Sequence, residues 1–548
     1  MIKKAFCLFV LFILGFTQAQ VKHPNILWIV CEDSSPTLSM YGDTTAKTPN
    51  LDAFAKEAMI FENAFATVGV CAPSRSSIIT GMQATSIGTM HMRTAMDVQA
   101  WGNRKYKKNI SVADINGTPI IQYSAVIPSE VKCVPEYLRA NGYFCTNNQK
   151  TDYQFAAPVT AWDENSNKAH WRNRPNGKPF FSVFNIDKTH ESKLWKHKNL
   201  PLTVDPKIVP VPPYLPDTEI SRKTIARNYS NIELMDKEVG KLLSQLKKDG
   251  LYDNTIVFFY SDHGGPLPRQ KREILDSGLK VPLLIKSLNS ESIGRTERMI
   301  SFVDLAPTLL SLAHIKAPKY MDGHAFIGAY EKEDREFVFG SSDRFDEFTD
   351  RIRSVRDKQF LYLKNYYPEL TKYKDVGYRK QVPMMQDILA LEGLKKLNGL
   401  QQIWFETKTE EELYNCIADP FNLKNLASDP SYSEDLKAMR KALKSAKKKD
   451  YAAISESEMI LKMWPNKEQP VTSRVESKQK KECVRLKCDT KGASIAYLVS
   501  DKNNLILNFN SGWQLYSKPL ILEKGMYVYT MAERIGFKAS EIKMIQIQ

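Results

Sequence analysis

The chain has 548 residues and a formal net charge of +15 at pH 7. This length excludes a single ordinary core, since about 150 residues per domain is typical, and it predicts two or more domains. The hydrophobic fraction of 43% is ample for globular folding. The positive charge favours polyanionic partners, although a solvated lysine-rich surface is the commoner cause of such a balance.

Residues 1–19 have the organisation of a secretory signal peptide. Lys3 and Lys4 precede an apolar run over residues 5–16, and a small-residue stretch ends at Ala19. The run is shorter than the roughly 20 apolar residues that a spanning helix needs, so no membrane span is predicted. We expect an exported protein, periplasmic or secreted. For such a protein a sulfated glycan is a better polyanionic partner than nucleic acid.

A continuous apolar run, NILWIV over residues 25–30, predicts a buried parallel strand that ends just before Glu32 and Asp33. Ligands bind at the carboxyl edge of open α/β sheets, and paired carboxylates there suit a hard cation such as calcium. Taken alone, an acidic pair after a strand is more often a helix cap or a turn. The pair therefore becomes a metal candidate only when other residues support it.

Residues 70–81, with the sequence VCAPSRSSIITG, predict a helix that begins near Cys71, because Pro73 suits a first helical turn. The positive helix end lies beside Cys71, and Arg75 faces the same way one turn later. A buried structural thiol is the alternative for a lone cysteine.

The cysteine count bears on this choice. Of eight cysteines, one leaves with the signal peptide, and the remaining seven leave at least one unpaired or modified in an exported chain. We expect Cys71 to be the cysteine that is unpaired or modified. The cysteines that are close in sequence, and hence candidate disulfides, are Cys133 with Cys145 and Cys483 with Cys488.

The motif Cys-x-Pro-Ser-Arg, followed by a small-residue helix and Thr-Gly, resembles the signature of the type I sulfatases, which have an alkaline phosphatase-like fold. The resemblance implies that a maturation enzyme oxidises Cys71 to formylglycine. One hydroxyl of the hydrated aldehyde would attack the sulfur of a sulfate ester, and the other would later expel inorganic sulfate. Arg75 would supply fixed positive charge around a doubly negative transition state.

The same resemblance implies the remaining site residues. Calcium is expected among two pairs of side chains that follow predicted strands: Glu32, Asp33, Asp262 and His263. Catalytic or sulfate-binding roles, including proton donation to the leaving group by the histidine, are expected of Lys150, His190 and Lys271. Substrate contacts are expected of His91, Arg93 and Asp152.

Some of these positions leave alternatives open. His91 contacts the sulfated sugar or is a structural loop residue. Asp152 stands where the family usually has a histidine, so it pairs with Lys150 or contacts a sugar hydroxyl. Glu32 replaces the usual aspartate, and His263 is a less usual ligand for calcium, which prefers oxygen.

The overall fold prediction is α/β, with an alkaline phosphatase-like, mostly parallel sheet flanked by helices over residues 20–335. Apolar positions at intervals of three and four between residues 224 and 248 predict a long crossover helix. A smaller α+β sheet subdomain with a helical segment is expected over residues 336–471. Short alternating runs, among them 483–486, 493–498, 505–507 and 526–529, predict a β-sandwich over residues 472–548, which resembles the small β-domain appended to some chitobiases.

The leading functional prediction is a sulfatase that acts on a sulfated oligo- or polysaccharide. A phosphate mono- or diester hydrolase of the same superfamily is the alternative, disfavoured because members with Ser or Thr nucleophiles lack Cys-x-Pro-Ser-Arg. A non-catalytic binder of sulfated glycans is the third reading, disfavoured by the complete set of candidate catalytic residues.

Overall fold

A computed structural model describes residues 23–92, 113–114, 117–120, 123–288, 293–446 and 450–548. The predicted signal peptide and Arg93 lie outside these residues. Among the helices of the described part, none combines the length and the apolar character needed to cross a membrane.

The large sheet has nine strands within the described residues. In chain order, β1 to β9 are Asn25–Cys31, Met59–Phe65, Phe144–Asn148, Glu164–Asn165, Phe180–Ile186, Thr255–Ser261, Lys280–Val281, Leu283–Lys286 and Gly294–Ser301. The order across the sheet is β4-β3-β5-β1-β6-β8-β2-β7, with β9 paired to β2. Five neighbouring strands are parallel to one another: β4, β3, β5, β1 and β6. Strand β8 pairs antiparallel with both β6 and β2. The predicted α/β fold is confirmed, with a mixed sheet.

Helices cover both faces of this sheet. In chain order, α1 to α12 are Pro49–Ala55, Cys71–Thr80, Ala84–Ile87, Val134–Ala140, Lys193–Lys196, Glu219–Lys248, Asp276–Leu279, Leu305–Leu312, Pro383–Gly393, Gly399–Gln402, Ser433–Ser445 and Glu456–Met463. Helix α6 is the predicted crossover helix and begins five residues earlier than its apolar periodicity indicates. Thr218 caps its first turn by accepting a hydrogen bond from the backbone N–H of Ser221.

The core lies on both sides of the central strand β1. Its odd and even residues point to opposite faces, as the pleat requires. Trp28 packs in the cluster that includes helices α2 and α8, and Ile29 packs in the cluster that includes α6. Both are buried. An apolar run without alternation is thus explained by a strand that is covered on both faces.

Three smaller antiparallel sheets follow. Strands β10 to β13 (Val338–Ser342, Ile352–Arg356, Phe360–Asn365 and Glu411–Asn415) form one sheet. The last strands, β14 to β20, are Val475–Lys480, Cys483–Cys488, Ser494–Ser500, Gln514–Leu515, Leu520–Ile521, Tyr527–Glu533 and Lys543–Gln546. They form two sheets, and Val484 of one and Val528 of the other share a hydrophobic cluster. The domain boundaries at residues 335 and 471 fall between sheets and stay predictions.

The structure differs from one expected strand and from both candidate disulfides. The run 505–507 is not a strand, and Ile506 is 98% exposed, so no neighbouring strand covers it. Cys483 and Cys488 are the two ends of strand β15, which separates them by about 16 Å and prevents a disulfide. Cys133 and Cys145 are also free thiols.

Candidate active site

Strand register brings the predicted carboxylates together. Strands β5 and β6 flank β1 in parallel, with Cys31 opposite Ile186 on one side and Ser261 on the other. The residues that follow β1 and β6 therefore emerge side by side at the carboxyl edge. The backbone N–H of Asp33 donates to Asp262 Oδ1 over 3.1 Å.

Helix α2 carries Cys71 to the same edge. It begins at Cys71, directly after the extended residue Val70, and ends at Gly81, whose left-handed φ of 70° stops it. All ten residues of the helix are buried. Ser74 fixes the helix to the second acidic loop, since its hydroxyl donates to the carbonyl oxygen of Asp262. The first turn of the helix is thus rigidly placed against the sheet edge.

The Cys71 sulfur lies at the centre of the predicted residues. Its distances are 3.3 Å to His263 Nε2, 3.5 Å to Lys271 Nζ and 3.8 Å to Asp33 Oδ1. Lys271 also bonds Asp33 Oδ2 over 2.5 Å, and His263 Nε2 lies 3.1 Å from Asp33 Oδ1. Acidic and basic groups therefore converge on one reactive atom.

Arg75 extends the positive side of the cluster. Its Nε donates to Asp262 Oδ2 over 2.9 Å, and its Nη1 donates to Asn185 Oδ1 over 2.7 Å. Its Nη2 is buried and has no hydrogen-bond partner among the described residues. A buried guanidinium nitrogen with an unused donor is costly unless an acceptor completes it. An anion beside Cys71 would complete it.

Lys150 and His190 both lie close to the Glu32 carboxylate. Lys150 Nζ lies 2.6 Å from Glu32 Oε2 and 3.6 Å from Asp152 Oδ2. His190 Nε2 lies 3.8 Å from the same Glu32 oxygen, and its Nδ1 contacts Ser192 Oγ. Asp152 thus pairs with Lys150, one of the two alternatives open for it.

The buried charges shift one another's pKa values. Burial acts against the ionised form of Asp33, but Lys271 and the neighbouring imidazoles outweigh it and lower the pKa of Asp33 well below its usual range. Burial also acts against protonated His263, yet Asp262 and Asp33 raise its pKa to about 10. Burial raises the pKa of Glu32. Burial therefore opposes every ionised group in the cluster, and opposite charges outweigh it for Asp33 and His263 but not for Glu32.

The same side chains could hold a metal ion. In each of two groups of four residues, the ligand atoms, one from each residue, lie within 4.8 Å of one another. The first group is Glu32, Asp33, Cys71 and His190, and the second is Asp33, Cys71, Asp262 and His263. Glu32 Oε1 is buried without a hydrogen-bond partner in the described part of the chain. Carboxylate oxygens that converge in this way fit a hard cation.

Comparison with known proteins decides the family. The sulfatase profile matches residues 24–315, and a profile described as N-sulphoglucosamine sulphohydrolase, C-terminal, matches residues 269–398. An ulvan-active sulfatase of Formosa agariphila is 44% identical over 96% of this chain and 91% of its own length. The chain belongs to the sulfatase family. It is a sulfuric ester hydrolase, as the leading prediction states.

One further relative and one solved structure are also similar to this chain. Human N-sulphoglucosamine sulphohydrolase is 26% identical over 80% of this sulfatase and 92% of its own chain. A solved structure in complex with its substrate, D-glucosamine-2-N,6-O-disulfate, superposes with a TM-score of 0.51 at 16% identity, and covers 77% of this chain and 97% of that one. The latter shows the shared fold.

His91 lies apart from these contacts. The sulfatase buries it to 6% exposure, and burial, aided by Arg344 and Arg353, lowers the pKa of its imidazole to about 4. Its backbone oxygen accepts from the side-chain amide of Gln154. Both alternatives for His91 stay open, because the residues around Cys71 are equally buried and His91 Nδ1 is buried without a hydrogen-bond partner among the described residues.

Three site residues of the sulfatase escape sequence reasoning. They are Asn185, which binds Arg75, and the ion pair of Glu191 with Arg272. The backbone N–H of Glu191 also donates to Asp33 Oδ2 over 2.7 Å. Glu191 and Arg272 each adjoin a predicted residue, so adjacency is the only sequence signal for them.

Proposed function

We propose that this chain removes sulfate from a sulfated glycan after Cys71 has been converted to formylglycine. The observation that carries the proposal is the position of the Cys71 sulfur, within 3.8 Å of an imidazole, an ammonium and a carboxylate at a helix start. A hydrated aldehyde there supplies one hydroxyl for attack on sulfur and a second for release of sulfate. A maturation enzyme in the host would be required.

Sulfate recognition rests on the cations that face Cys71. Arg75 Nη2 has an unused donor, and Lys271 Nζ lies within reach of the nucleophile. Lys150 is held against Glu32 on the opposite side. Such fixed donors stabilise charge that develops on sulfate oxygens without reorganising during the reaction.

His190 is the proposed proton donor to the leaving alcohol. Its side chain is 14% exposed, whereas the other cluster residues named above are almost fully buried. It is therefore nearer to solvent than the other charged residues around Cys71, on the side where a sugar oxygen can leave. The Nδ1 atom of His190 forms a hydrogen bond with Ser192, and its Nε2 atom faces Glu32.

Calcium is the proposed metal, held by Glu32, Asp33, Asp262 and His263. It would supply positive charge to the buried carboxylates and to the bound sulfate. The convergence of buried carboxylate oxygens supports this, together with Glu32 Oε1, which is buried without a hydrogen-bond partner among the described residues.

The substrate class follows from relatives and charge. The two curated relatives named above are an ulvan-active sulfatase and an N-sulphoglucosamine sulphohydrolase, so O-sulfated and N-sulfated carbohydrates are both candidates. The net charge of +15 suits a polyanionic glycan. Export to the periplasm or the medium, as the lysines and apolar run of residues 1–19 indicate, would bring the enzyme to such a polymer.

The test compares esters of the same alcohol. Purified protein from a host with a maturation enzyme is incubated with paired aryl sulfate and aryl phosphate, and with ulvan and a panel of sulfated oligosaccharides. Release of inorganic sulfate from saccharides, with sulfate preferred over phosphate, supports the proposal. Preferential phosphate release would favour the phosphoesterase alternative, and binding without release from any ester would favour the glycan binder.

A further inference from the structure

Two aromatic side chains, Tyr378 and Trp195, follow one another outward from His190. Tyr378 is 38% exposed, and its ring centroid lies 6.5 Å from that of His190. Trp195 is partly buried and lies 5.3 Å from Tyr378 at an interplanar angle of 71°. Trp195 belongs to helix α5, which follows the His190 loop directly. Tyr378 thus adjoins the group proposed to protonate the leaving oxygen, and Trp195 adjoins Tyr378.

A buried ion pair fixes this arrangement. Arg272 Nη1 lies 2.9 and 3.1 Å from the two carboxylate oxygens of Glu191, and Arg272 Nε lies 3.2 Å from Asp346 Oδ2. The guanidinium carbon lies 6.0 Å from the centroid of the Tyr378 ring. Arg272 follows Lys271 and Glu191 follows His190, so one ion pair joins both catalytic loops to the aromatic pair.

The position of the rings matches the geometry of a sugar sulfate. A sulfate ester joins sulfur to the ring through a single oxygen, so a sugar whose sulfate lies at Cys71 has its ring just outside His190. Aromatic side chains offer rigid contact area at a low entropic cost and commonly line ligand sites. The C–H face of a pyranose is apolar and packs on such a ring, while its hydroxyls remain in water.

We propose that Tyr378 and Trp195 form a binding surface for the pyranose ring of the sulfated saccharide. The inference rests on the proposed function and adds the group that recognises the sugar rather than the sulfate. This surface determines the affinity for the saccharide, whereas the residues around Cys71 carry out the chemistry at sulfur.

The test separates the sugar from the sulfate. With the sulfated oligosaccharide that the wild-type protein turns over fastest, Tyr378→Ala should raise KM about tenfold with kcat unchanged. Where no turnover is detected, ulvan oligosaccharides are used for the binding measurement on the inactive protein. The inhibition constant of inorganic sulfate should not change. Tyr378→Phe should behave as wild type, and Tyr378→Leu, which keeps an apolar body for folding, should behave as Tyr378→Ala. Tyr330, which is 42% exposed, gives the matched control Tyr330→Ala, with unchanged KM.

Binding to an inactive protein makes the result independent of turnover. The affinity of the same oligosaccharide for Cys71→Ala should fall about tenfold when Tyr378→Leu is added. Equal values for the Tyr378 and Tyr330 variants, an equal rise in the sulfate inhibition constant, or no binding at all would overturn the inference. Absence of sulfate release with the binding difference intact would instead contradict only the proposed function.

Discussion

Two buried polar regions of the molecule differ in how their charges are arranged. Around Cys71, acidic and basic groups crowd about one sulfur atom, and two polar atoms, Glu32 Oε1 and Arg75 Nη2, have no partner among the described residues. Where the C-terminal sandwich meets helix α4, cations bond fixed oxygen atoms of neighbouring elements and do not surround a single reactive atom, although Glu136 Oε2 is also buried there without a partner among the described residues. Arg139 bonds Asp163 and the carbonyl oxygen of Trp513, and Lys132 bonds the carbonyl oxygen of Gly492.

The difference separates a site from a structural interface. A satisfied polar contact stabilises the fold and needs nothing further, whereas an unsatisfied buried donor or acceptor costs free energy unless a ligand completes it. The Cys71 cluster combines unsatisfied atoms with opposite charges around one sulfur atom, which fits a cation and an anion, whereas Arg139 and Lys132 at the sandwich interface already bond oxygen acceptors. Substitutions in the two regions should separate rate from stability.

The largest effect is expected at the nucleophile. Cys71→Ala should reduce sulfate release by about 10⁴-fold or more, as removal of a catalytic nucleophile does in other hydrolases. The melting temperature should stay close to that of the wild type, since alanine fits the buried space at the helix start. Calorimetry and sulfate-release assays on one preparation measure both. Retained activity would remove formylglycine from the account.

The next effect concerns proton donation. His190→Ala should lower kcat on a sugar sulfate by ~10²–10⁴-fold and only mildly on an activated aryl sulfate, whose phenolate leaves without a proton. Rates on both substrates are measured for variant and wild type. Equal losses would show that His190 binds sulfate and is not the acid, and Asp152→Asn should then be tested for the same asymmetry.

Chelation tests whether the Cys71 cluster binds a calcium ion. Removal of calcium should lower activity and melting temperature together, because buried carboxylates would be left crowded, and a ligand present at 100 times its Kd stabilises by about 2.7 kcal/mol. Added calcium should restore both. A metal-free protein, verified by elemental analysis, with full activity would contradict the assignment.

The smallest effect on rate is expected at the sandwich interface. Arg139→Ala removes a buried guanidinium and its hydrogen bonds and should destabilise by about 1–3 kcal/mol. Because Arg139 contacts none of the catalytic residues, kcat and KM should match the wild type below the melting transition. A large loss of kcat in folded protein would show that the two regions are not independent.

Sequence reasoning reached the fold and named most of the residues that the structure brings together around Cys71. Apolar runs that end in polar residues, such as the run before Glu32, show strand edges, and parallel register then brings those edges together. Sequence reasoning could not show that Arg272 pairs with Glu191, because these residues are 81 positions apart. Nor could it separate Ile506, an apolar residue in an exposed loop, from a strand residue, since only a pairing partner makes that distinction.

The central claim is that Cys71 acts as formylglycine, and one measurement tests it most directly. Preparations matured to different extents are digested, and the fraction of the Cys71 peptide that carries an aldehyde is measured by mass spectrometry beside the rate of sulfate release. The account predicts a rate proportional to the converted fraction and zero without conversion. Full sulfate release from protein in which Cys71 remains an unmodified thiol would contradict it.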